Sequence, residues 1–559
     1  MKTVNLKHDS AIKHVTGQSV YVNDIATHRQ LIGRVIYSPV AHARISLLDT
    51  KAALKLDGIV AILTKKDIPG ENQMGPVIHD ELCLAEDEVT FIGQAIALIA
   101  AETEDAAFNA EKLIRIEFEE LERILTLQEA IKKDSLIAPV RTIECGNVED
   151  VFKSAPHIIS GELETGAQEH WYLETQSALA IPGEGKEMLI HASSQNPAET
   201  QSIVAEVLGV SKNEIDVEVR RMGGGFGGKE TQGNHVAAWA ALLANATRRP
   251  VGIHLFRDDD QKITGKRHRF LSKYKIAFTD EGKILAYSVE LNSDAGAATD
   301  LSRAILERAM LHVENSYFIP NCKIVGKAYK TNLPSNTAFR GFGGPQGMAV
   351  IETAIDRMAR FLKKDATELR KLNFYGFNDR NITPYGETIS NNHLHVMYDQ
   401  LLKSSGYANR RHEIEKFNRE HELTKRGIAL TPVKFGISFT TAFLNQAGAL
   451  VHIYTDGTIA VNHGGTEMGQ GLNTKIHGIA SAEFGVSPDF IKVSVTNTSK
   501  VPNTSATAAS SGSDLNGMAV KNAIGKLKLR LADVAVEMLK TRLNLDSIAA
   551  DQIIFVENY

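Results

Sequence analysis

The chain has 559 residues, of which 43% are hydrophobic and 23% are charged, and its formal net charge at pH 7 is -5. This length allows two to four domains, and the composition is typical of a globular protein. The small negative charge excludes a strong electrostatic attraction to nucleic acid or to an acidic membrane surface, so we expect neither as a partner.

The chain has only three cysteines, Cys83, Cys145 and Cys322, and they lie far apart in the sequence. No CxxC pair is present, so the chain lacks the ligand pattern of a zinc knuckle and of its own iron–sulfur cluster. The N-terminal stretch "MKTVNLKHDSAIKHVTG" has no signal-peptide core, and the longest apolar stretches are too short to cross a bilayer. These features predict a cytoplasmic protein.

Short strand-like and helix-like segments alternate in the first part of the chain. The apolar runs 58–64 and 91–101 predict buried strands. Thr103 is a predicted helix N-cap, because acidic residues follow it in what would be the first helical turn. Residues 113–120 alternate apolar and charged side chains, as a half-buried strand does. Residues 1–122 are therefore predicted to form a small α+β domain.

Residues 123–145 are predicted to be a connecting segment, which ends in "APVRTIECGN". Strands and alanine-rich helices alternate beyond it, and glycine-rich loops interrupt them. The charged stretch 410–426 predicts an exposed helix face and a linker, because charge runs are usually solvated. It divides the rest of the chain into two larger α/β units, 146–409 and 410–559. The predicted fold class is therefore α+β or mixed α/β.

The loop "RRMGGGFGGKE" (220–230) follows the alternating run "EIDVEV" and fits two nucleotide-binding patterns. Gly223-x-Gly225-x-x-Gly228 satisfies a dinucleotide fingerprint, but no acidic residue follows about 20 positions later to bind a ribose. The same loop begins like a P-loop, but Glu230 stands where a magnesium-binding hydroxyl is needed. Both nucleotide interpretations therefore fail. The remaining alternative is a tight strand-to-helix turn without a ligand.

Three more loops of similar composition follow far downstream, "TAFRGFGGPQ" (337–346), "GGTEMGQG" (464–471) and "SATAASSGSDLNG" (505–517). Small residues allow backbone N–H groups to approach a ligand closely. Three of the four loops precede helix-like segments, and helix N-termini favour anions. Several such loops favour one large polar cofactor that is held from many sides.

Several motifs together resemble one family. "MGGGFGGKE", "TAFRGFGGPQ", "FGISFT", "NQAGALVHIYTDG" and "GGTEMGQGLNTK" look like the molybdenum-cofactor subunit of the xanthine dehydrogenase and aldehyde oxidase family. The likeness covers the whole chain, and "HDSAIKHVTGQSVYVND" resembles the start of the family's small hammerhead-like domain. The resemblance implies that two molybdopterin-binding subdomains follow this domain. The cofactor would be molybdenum–molybdopterin, either plain or as the cytosine dinucleotide.

The resemblance assigns six residues to the cofactor, and four of them to the surroundings of the metal. The six are Gln195, Phe226, Gly227, Arg340, Gln470 and Ala509. The four around molybdenum are Gln195, Phe226, Arg340 and Ala509. Taken alone, a Gln beside an Asn is more often a turn residue, and an Arg more often forms a surface ion pair.

The resemblance also implies a purine site. Glu230 and Arg308 match the family's purine-recognising and catalytic pair, Phe342 matches the ring that stacks on the substrate, and Phe439 with Thr440 would form a second wall. Arg308 would stabilise negative charge that develops on the purine, and Glu230 would bind ring nitrogens and assist proton transfer. Taken alone, either phenylalanine would more often be a core residue. The implied activity is oxidation of hypoxanthine and xanthine to urate.

Two alternatives to the purine hydroxylase stay open: a molybdenum hydroxylase of aldehydes or other N-heterocycles, and a relative that binds cofactor or partner without turnover. The family's catalytic base is a glutamate in a late "GEPP"-like motif, and no GEPP occurs in this sequence. We therefore expect a truncated chain whose second molybdopterin-binding subdomain is incomplete, and no purine hydroxylation by these 559 residues alone.

The resemblance implies that electrons leave the molybdenum through a partner. With three scattered cysteines, the chain would need a separately encoded subunit that carries [2Fe–2S] clusters and FAD. A hetero-oligomer with dimerised molybdenum subunits is expected.

Overall fold

The computed structural model describes residues 6–544 and 547–555. In chain order its strands are β1 Leu31–Tyr37, β2 Ala43–Asp49, β3 Ile59–Leu63, β4 Glu88–Val89, β5 Ala95–Ala101, β6 Arg115–Glu120, β7 Arg141–Cys145, β8 His157–Thr165, β9 Ser177–Pro182, β10 Met188–Ala192, β11 Ile215–Val219, β12 Val251–His254, β13 Phe270–Phe278, β14 Ile284–Gly296, β15 Cys322–Lys330, β16 Ala449–Ile453, β17 Ile459–His463, β18 Ile491–Val493 and β19 Thr496–Asn497. Helices alternate with these strands, as a mixed α/β fold requires.

The α-helices, in chain order, are α1 Ala11–Val15, α2 Lys51–Leu54, α3 Glu104–Glu111, α4 Leu127–Lys132, α5 Val148–Ser154, α6 Pro197–Leu208, α7 Gly233–Thr247, α8 Arg257–Ile263, α9 Ser302–Met310, α10 Gly344–Leu362, α11 Ala366–Asn373, α12 Leu394–Ser404, α13 Tyr407–Glu420, α14 Leu472–Phe484 and α15 Gly512–Leu543. Within the described residues, none of these helices combines the length and the apolar character that crossing a membrane requires. The predicted mixed α/β class is confirmed.

The largest sheet has eight strands in the order β19-β11-β10-β9-β12-β1-β5-β3. Strand β5 is buried along its whole length and confirms the buried strand expected from the run 91–101, although it starts only at Ala95 because Gly93 turns the chain at φ +99°. The run 58–64 forms β3, but burial of this strand was wrongly predicted: it lies at the sheet edge, and only Leu63 in it is buried. The Thr103 hydroxyl caps α3 by accepting a hydrogen bond from the Ala106 amide at 3.2 Å, as expected.

This sheet also crosses the expected end of the first domain. Strand β1 pairs in parallel with β12, at Leu31 and Val251, so the first 122 residues contribute β1, β3 and β5 to a sheet that they share with residues 177–254. A smaller sheet, β4-β2-β6, belongs to the first part alone, and in it Ile116 and Phe118 of β6 are half-buried. The N-terminal part is thus packed against the next part through backbone pairing as well as through side chains.

A five-stranded sheet in the order β7-β15-β14-β13-β8 forms the second layer. Helices α9 and α10 pack on it, and its core includes Phe270, Tyr287 and Ile351. The segment 123–145, expected to be a plain connection, contains α4 and β7. It is structured because Cys145 of β7 pairs with Cys322 of β15 in an antiparallel ladder.

The last part of the described chain forms a three-stranded sheet, β16-β17-β18, which α14 and α15 cover. The charged stretch 410–426 begins inside α13, which is mostly exposed, and continues as irregular chain. Its expected character as a solvated helix and linker is confirmed, although the expected boundary at 410 falls within the helix.

All four glycine-rich loops precede helices, one more than the sequence indicated. Loop 220–230 leads from β11 towards α7, loop 337–346 leads into α10, loop 464–471 leads from β17 into α14, and loop 505–517 leads into α15. The four loops therefore lie at or before the N-termini of four helices, which belong to different parts of the fold.

Candidate functional site

The four glycine-rich loops line one cavity of about 990 Å³. Nine of the eleven residues that the sequence indicated lie in its wall: Gln195, Phe226, Gly227, Glu230, Arg308, Arg340, Phe342, Gln470 and Ala509. Phe439 and Thr440 line a neighbouring cavity of about 400 Å³ instead. Cavities of several hundred Å³ with a few convergent polar groups are typical of ligand sites.

Direct hydrogen bonds hold the loops together. The backbone amides of Arg340, Met222 and Thr466 donate across loop boundaries to Phe226 O (2.8 Å), Glu467 O (2.9 Å) and Thr507 Oγ1 (2.8 Å), respectively. Each loop is thereby positioned by its neighbours, so the wall of the cavity is a single connected structure.

Gln195 joins two of the loops through its side-chain amide. Its Oε1 accepts from the Gly227 amide at 2.9 Å, and its Nε2 donates to Thr507 O at 3.2 Å. A Cβ on Gly225 would lie 2.6 Å from Gln195 Oε1, so a side chain added here would displace the Gln195 amide. The buried Gln195 amide is therefore fixed at the base of the cavity rather than lying in an exposed turn.

Lys229, the residue that would hold a phosphate in a P-loop, points away from the cavity. Its side chain has no exposed surface, and its Nζ lies 3.1 Å from Glu174 Oε2 and 4.7 Å from the centre of the Tyr172 ring. The same Glu174 oxygen accepts from the Gly223 amide at 2.7 Å. Burial lowers the pKa of Lys229, and the attraction of Glu174 offsets part of that effect. Lys229 thus anchors the loop from behind.

Three non-glycine residues that the sequence indicated have their backbone in the left-handed region. Phe226, Phe342 and Ala509 have φ values of +55°, +50° and +53°. This conformation costs a non-glycine residue about 1–2 kcal/mol, and such residues concentrate at functional sites. The cost is met by the surrounding loop contacts, which fix where the two aromatic rings stand.

Glu230 is 4% exposed and lies on the cavity side of the loop. The pKa of its carboxyl is raised to about 8, mainly by burial and also by the negative charges of Glu199 and Asp300, while Arg308 acts to lower it. A carboxyl with this pKa is mostly neutral at pH 7 and can donate a hydrogen bond.

Arg308 approaches the same cavity from α9. Its terminal nitrogens donate to Gly436 O and Ser438 O, while its buried Nε has no hydrogen-bond partner among the described residues. Burial lowers its pKa, and Glu230 raises it in part. Among the ion pairs of the described residues, none joins Arg308 to Glu230, so both groups keep capacity for a ligand. The guanidinium carbon lies 5.9 Å from the centre of the Phe342 ring.

His312 and Phe435 belong to this arrangement, although the sequence analysis did not assign them. His312 Nε2 accepts from the Gly436 amide at 3.2 Å, so its Nδ1 carries the proton that is donated to Arg308 O at 2.6 Å. Phe435 lines both cavities, and its ring centre is 5.5 Å from the Arg308 guanidinium carbon. Phe435 opens the motif "FGISFT", so a sequence signal for it existed.

Phe439 and Thr440 lie outside the main cavity for a local reason. Asn445 binds both backbone groups of Phe439: its Oδ1 accepts from the Phe439 amide and its Nδ2 donates to the Phe439 carbonyl, each at 2.9 Å. This clamp fixes the segment beside the smaller cavity, which shares Arg308 and Phe435 with the larger one. Phe439 and Thr440 therefore line the smaller cavity, and their expected role as a second wall of the substrate site stays a prediction.

The wall fits a large anionic cofactor. Gly512 and Leu472, the first residues of α15 and α14, line the cavity. The Glu467 carboxylate accepts a hydrogen bond from the Asn473 amide in the first turn of α14 at 3.0 Å, whereas the N-cap residue of α15, Ser511, makes no side-chain cap bond. Uncapped helix N-termini favour phosphate groups. A Cβ on Gly227 would lie 2.6 Å from Ala338 O, so close approach of the loops depends on this glycine. Gln470 lines the cavity but is exposed, and its amide closes its own loop by donating to Thr466 O at 2.9 Å.

Comparisons with known proteins agree with this geometry. Residues 130–374 and 400–557 each match a model of the molybdopterin cofactor-binding domain, and residues 16–122 match the aldehyde oxidase and xanthine dehydrogenase a/b hammerhead domain. Xanthine dehydrogenase of Dictyostelium discoideum is 47% identical over 532 residues, which are 95% of this chain and 39% of that protein. Xanthine dehydrogenase/oxidase of Gallus gallus is 45% identical over 96% of this chain and 39% of its own length.

The fold is also similar to a solved structure, the aldehyde oxidoreductase of Desulfovibrio gigas, with a TM-score of 0.84 and 27% identity over 93% of this chain and 59% of that one. The matched models and the four-loop cavity define a molybdopterin cofactor-binding protein. The chain belongs to the xanthine dehydrogenase family, and it spans about 39% of the length of the curated relatives that it matches.

Proposed function

We propose that this chain is the molybdenum-cofactor part of a purine hydroxylase that oxidises hypoxanthine and xanthine to urate. The observation that carries the proposal is the presence of Glu230 and Arg308 in one cavity wall with Phe342, unpaired with each other. Because the chain spans 39% of its relatives, the proposed activity belongs to the assembled enzyme.

The cofactor would occupy the side of the cavity that the glycine-rich loops form. Gln195, Phe226, Gly227, Arg340 and Ala509 would surround the metal end. Gln470 would lie at the pterin end, where the N-terminus of α15 favours a phosphate, or a dinucleotide form with two phosphates. When bound, the molybdenum centre supplies the oxygen that enters the substrate and accepts the two electrons that leave it.

The remaining residues would hold the purine. Phe342 offers an aromatic face to a planar heterocycle, and stacking of this kind fixes the plane of the ring. The Glu230 carboxyl would donate a hydrogen bond to a ring nitrogen or oxygen. Arg308 would stabilise the negative charge that grows on the ring during the reaction, because its positive charge is fixed by two backbone carbonyls. The roles of Phe439 and Thr440 as a second wall stay predictions.

Two alternatives differ from this proposal at the same cavity. An aldehyde or other N-heterocycle hydroxylase would have little use for a buried carboxyl and a guanidinium that read polar ring edges, and a relative without turnover would bind the cofactor only. The first alternative is favoured by the structural similarity to an aldehyde oxidoreductase.

We also propose that the electrons pass to a partner that carries [2Fe–2S] clusters and FAD, within a cytoplasmic hetero-oligomer in which molybdenum subunits dimerise. Cys83 and Cys322 are buried and far apart in the sequence, and Cys145 lies beside Cys322 on adjacent strands. This arrangement offers no set of four thiolates of the kind that holds a cluster.

The experiment is to determine molybdenum content and xanthine, hypoxanthine and aldehyde turnover of the enzyme assembled from this chain and its partners. We expect stoichiometric molybdenum and urate formation. Aldehyde turnover without purine turnover would favour the first alternative, and molybdenum without turnover of either substrate would favour the second.

A further inference from the structure

Two further acidic side chains, Glu199 and Asp300, lie behind Glu230 without a role in the proposed reaction. Glu199 is in the first turn of α6, and Asp300 precedes α9, the helix that carries Arg308. Neither lines the main cavity, so neither can touch a ligand there. Their negative charges nevertheless raise the pKa of Glu230, because charges interact more strongly in the protein interior than in water.

Asp300 accepts hydrogen bonds from the two residues that follow Glu230 in the chain. Its Oδ2 accepts from Thr231 Oγ1 at 2.8 Å and from Gln232 Nε2 at 2.9 Å, and its Oδ1 accepts from Thr337 Oγ1 at 3.0 Å. Three donors favour the charged carboxylate, while burial, the stronger influence, raises its pKa to about 7. Its backbone is itself strained, with φ +38°. Asp300 thus fixes the position of the Glu230 segment and brings negative charge to it.

Glu199 acts from the other side of the loop. Its Oε1 accepts from Asn234 Nδ2 at 2.9 Å, and Asn234 Oδ1 in turn accepts from Thr200 Oγ1 at 2.7 Å. The pKa of Glu199 is raised to about 7, mainly by burial and also by the charge of Asp300, while the hydrogen bond from Asn234 acts to lower it. The three carboxyls therefore form a coupled group in which ionisation of one opposes ionisation of the others.

We propose that Glu199 and Asp300 are positioning residues that hold Glu230 in its neutral, hydrogen-bond-donating form. The site then presents to a ligand a donor carboxyl on one side and a guanidinium on the other. Such a pair suits a heterocycle whose edge carries lone pairs and whose ring becomes negative during reaction. This inference deepens the proposed function and rests on it for the identity of the ligand.

The charges around Glu230 favour this result. Arg308 on α9 is the cation that opposes it, but the terminal nitrogens of Arg308 are engaged by two backbone carbonyls. Lys229, which precedes Glu230 in the chain, points away from the cavity and forms an ion pair with Glu174. Behind Asp300, Glu81 lies 3.5 Å from His235, and this imidazole lowers the pKa of Glu81 against the opposing effect of burial.

The test measures the protonation of Glu230 directly. In infrared difference titrations of the full chain, the C=O stretching band of a protonated carboxyl that disappears in Glu230→Gln reports on this group. We expect the band to titrate near pH 8 in the parent protein. Its midpoint should move to lower pH in Glu199→Gln and in Asp300→Asn, because each change removes a nearby negative charge.

Two matched variants separate charge from shape. Glu199→Asp keeps the charge and should retain a midpoint near that of the parent. Asp294→Asn removes another buried carboxylate, one that is bonded to Thr331 and Gly296 and does not act on Glu230, so the midpoint should not move. If Asp300→Asn fails to fold, the comparison of Glu199→Gln with Glu199→Asp is sufficient for the test.

An unchanged midpoint in both Glu199→Gln and Asp300→Asn would overturn the inference, as would ionisation of Glu230 well below pH 7 in the parent. A shift in only one variant would remove the role of the other residue. In the assembled enzyme, the alkaline limb of the kcat/KM profile for xanthine should move with the infrared midpoint. A shifted band in an enzyme that does not oxidise purines would instead refute the proposed function and leave the carboxyl assignment standing.

Discussion

Lys229 and Glu230 are neighbours in the sequence, yet they face opposite environments. Lys229 is enclosed behind the loop, where Glu174 and the Tyr172 ring satisfy its charge. Glu230 is almost as deeply buried but faces the cavity, and Arg308 across from it is not its ion-pair partner. The loop thus separates a charge that holds the structure together from a group that is kept available for a ligand.

The difference has a physical cause. A buried charge is costly unless it is paired and hydrogen-bonded, so Lys229 is tolerated only because Glu174 accompanies it. A buried carboxyl without a cationic partner avoids this cost by staying protonated. The raised pKa of Glu230 reflects this preference for the protonated form. Perturbed carboxyls of this kind concentrate at functional sites, whereas closed pairs are more often structural.

The largest expected effect comes from breaking the buried ion pair between Lys229 and Glu174. Lys229→Met leaves the Glu174 carboxylate buried without its partner, and loss of one member of such a pair costs about 3–5 kcal/mol. We expect a fall of that size in the free energy of unfolding, measured by urea denaturation, together with loss of cofactor. The control is Arg360→Met, which removes an exposed pair with Asp356 on α10 and should cost below about 1 kcal/mol. Equal effects of the two changes would contradict the structural role of Lys229.

The next largest effect is expected from replacing Glu230 and Arg308, two ionisable residues of the cavity wall that are not paired with each other. Glu230→Val with Arg308→Met should lower kcat/KM for xanthine at least ~10²-fold in the assembled enzyme, because a preorganised charge donor is lost. Aldehyde turnover should be spared or improved, since an apolar wall suits an apolar substrate. Arg303→Met, on the same helix α9 but outside the cavity wall, is the control. Purine turnover that survives the double change would refute the substrate assignment.

A smaller effect is expected at Gly227, where loop 220–230 lies close to the backbone of Ala338. Gly227 has φ +100°, and an added Cβ would lie 2.6 Å from Ala338 O. Gly227→Ala should therefore destabilise the protein by about 1–3 kcal/mol and weaken cofactor retention. Gly185→Ala, also at positive φ but with no atom near the added Cβ, measures the backbone cost alone. Similar melting temperatures for the two variants would show that loop 337–346 yields to the added methyl group.

The smallest effect concerns pH and stability. The pKa of Glu199 is raised by burial from its ordinary 4.5 to about 7, so the folded state holds a proton that the unfolded state loses between these values. Its contribution to stability is therefore greatest below pH 4.5 and declines as pH rises to about 7. Glu199→Gln should match the parent at pH 4.5 and be the more stable of the two proteins at pH 8.

Thermal unfolding of both proteins at the two pH values checks this sign. Glu413→Gln, on the exposed face of α13, should show no such difference between the two pH values. A destabilised Glu199→Gln variant at pH 8 would show that the bond from Asn234 outweighs the cost of burying the charge.

Much of the local structure could be predicted from the sequence. The Thr103 cap, the apolar strand β5 and the strand-to-helix loop 220–230 depend on residues that are close in the chain, so their pattern determines them. The resemblance of the loops to one family also selected nine residues that line one cavity, because each lies within or beside a motif with a recognisable order of residues.

What the sequence could not determine are pairings between distant segments. Lys229 turns inward because Glu174, 55 positions earlier, is packed beneath the loop. Glu199 and Asp300 raise the pKa of Glu230 although they lie 31 positions before it and 70 positions after it in the chain. Strand β1 crosses the expected domain boundary because β12 offers a free edge about 220 residues later. Such proximity depends on how the layers pack, and the charge state of Glu230 depends on it in turn, since burial and neighbouring charges exist only in the folded chain.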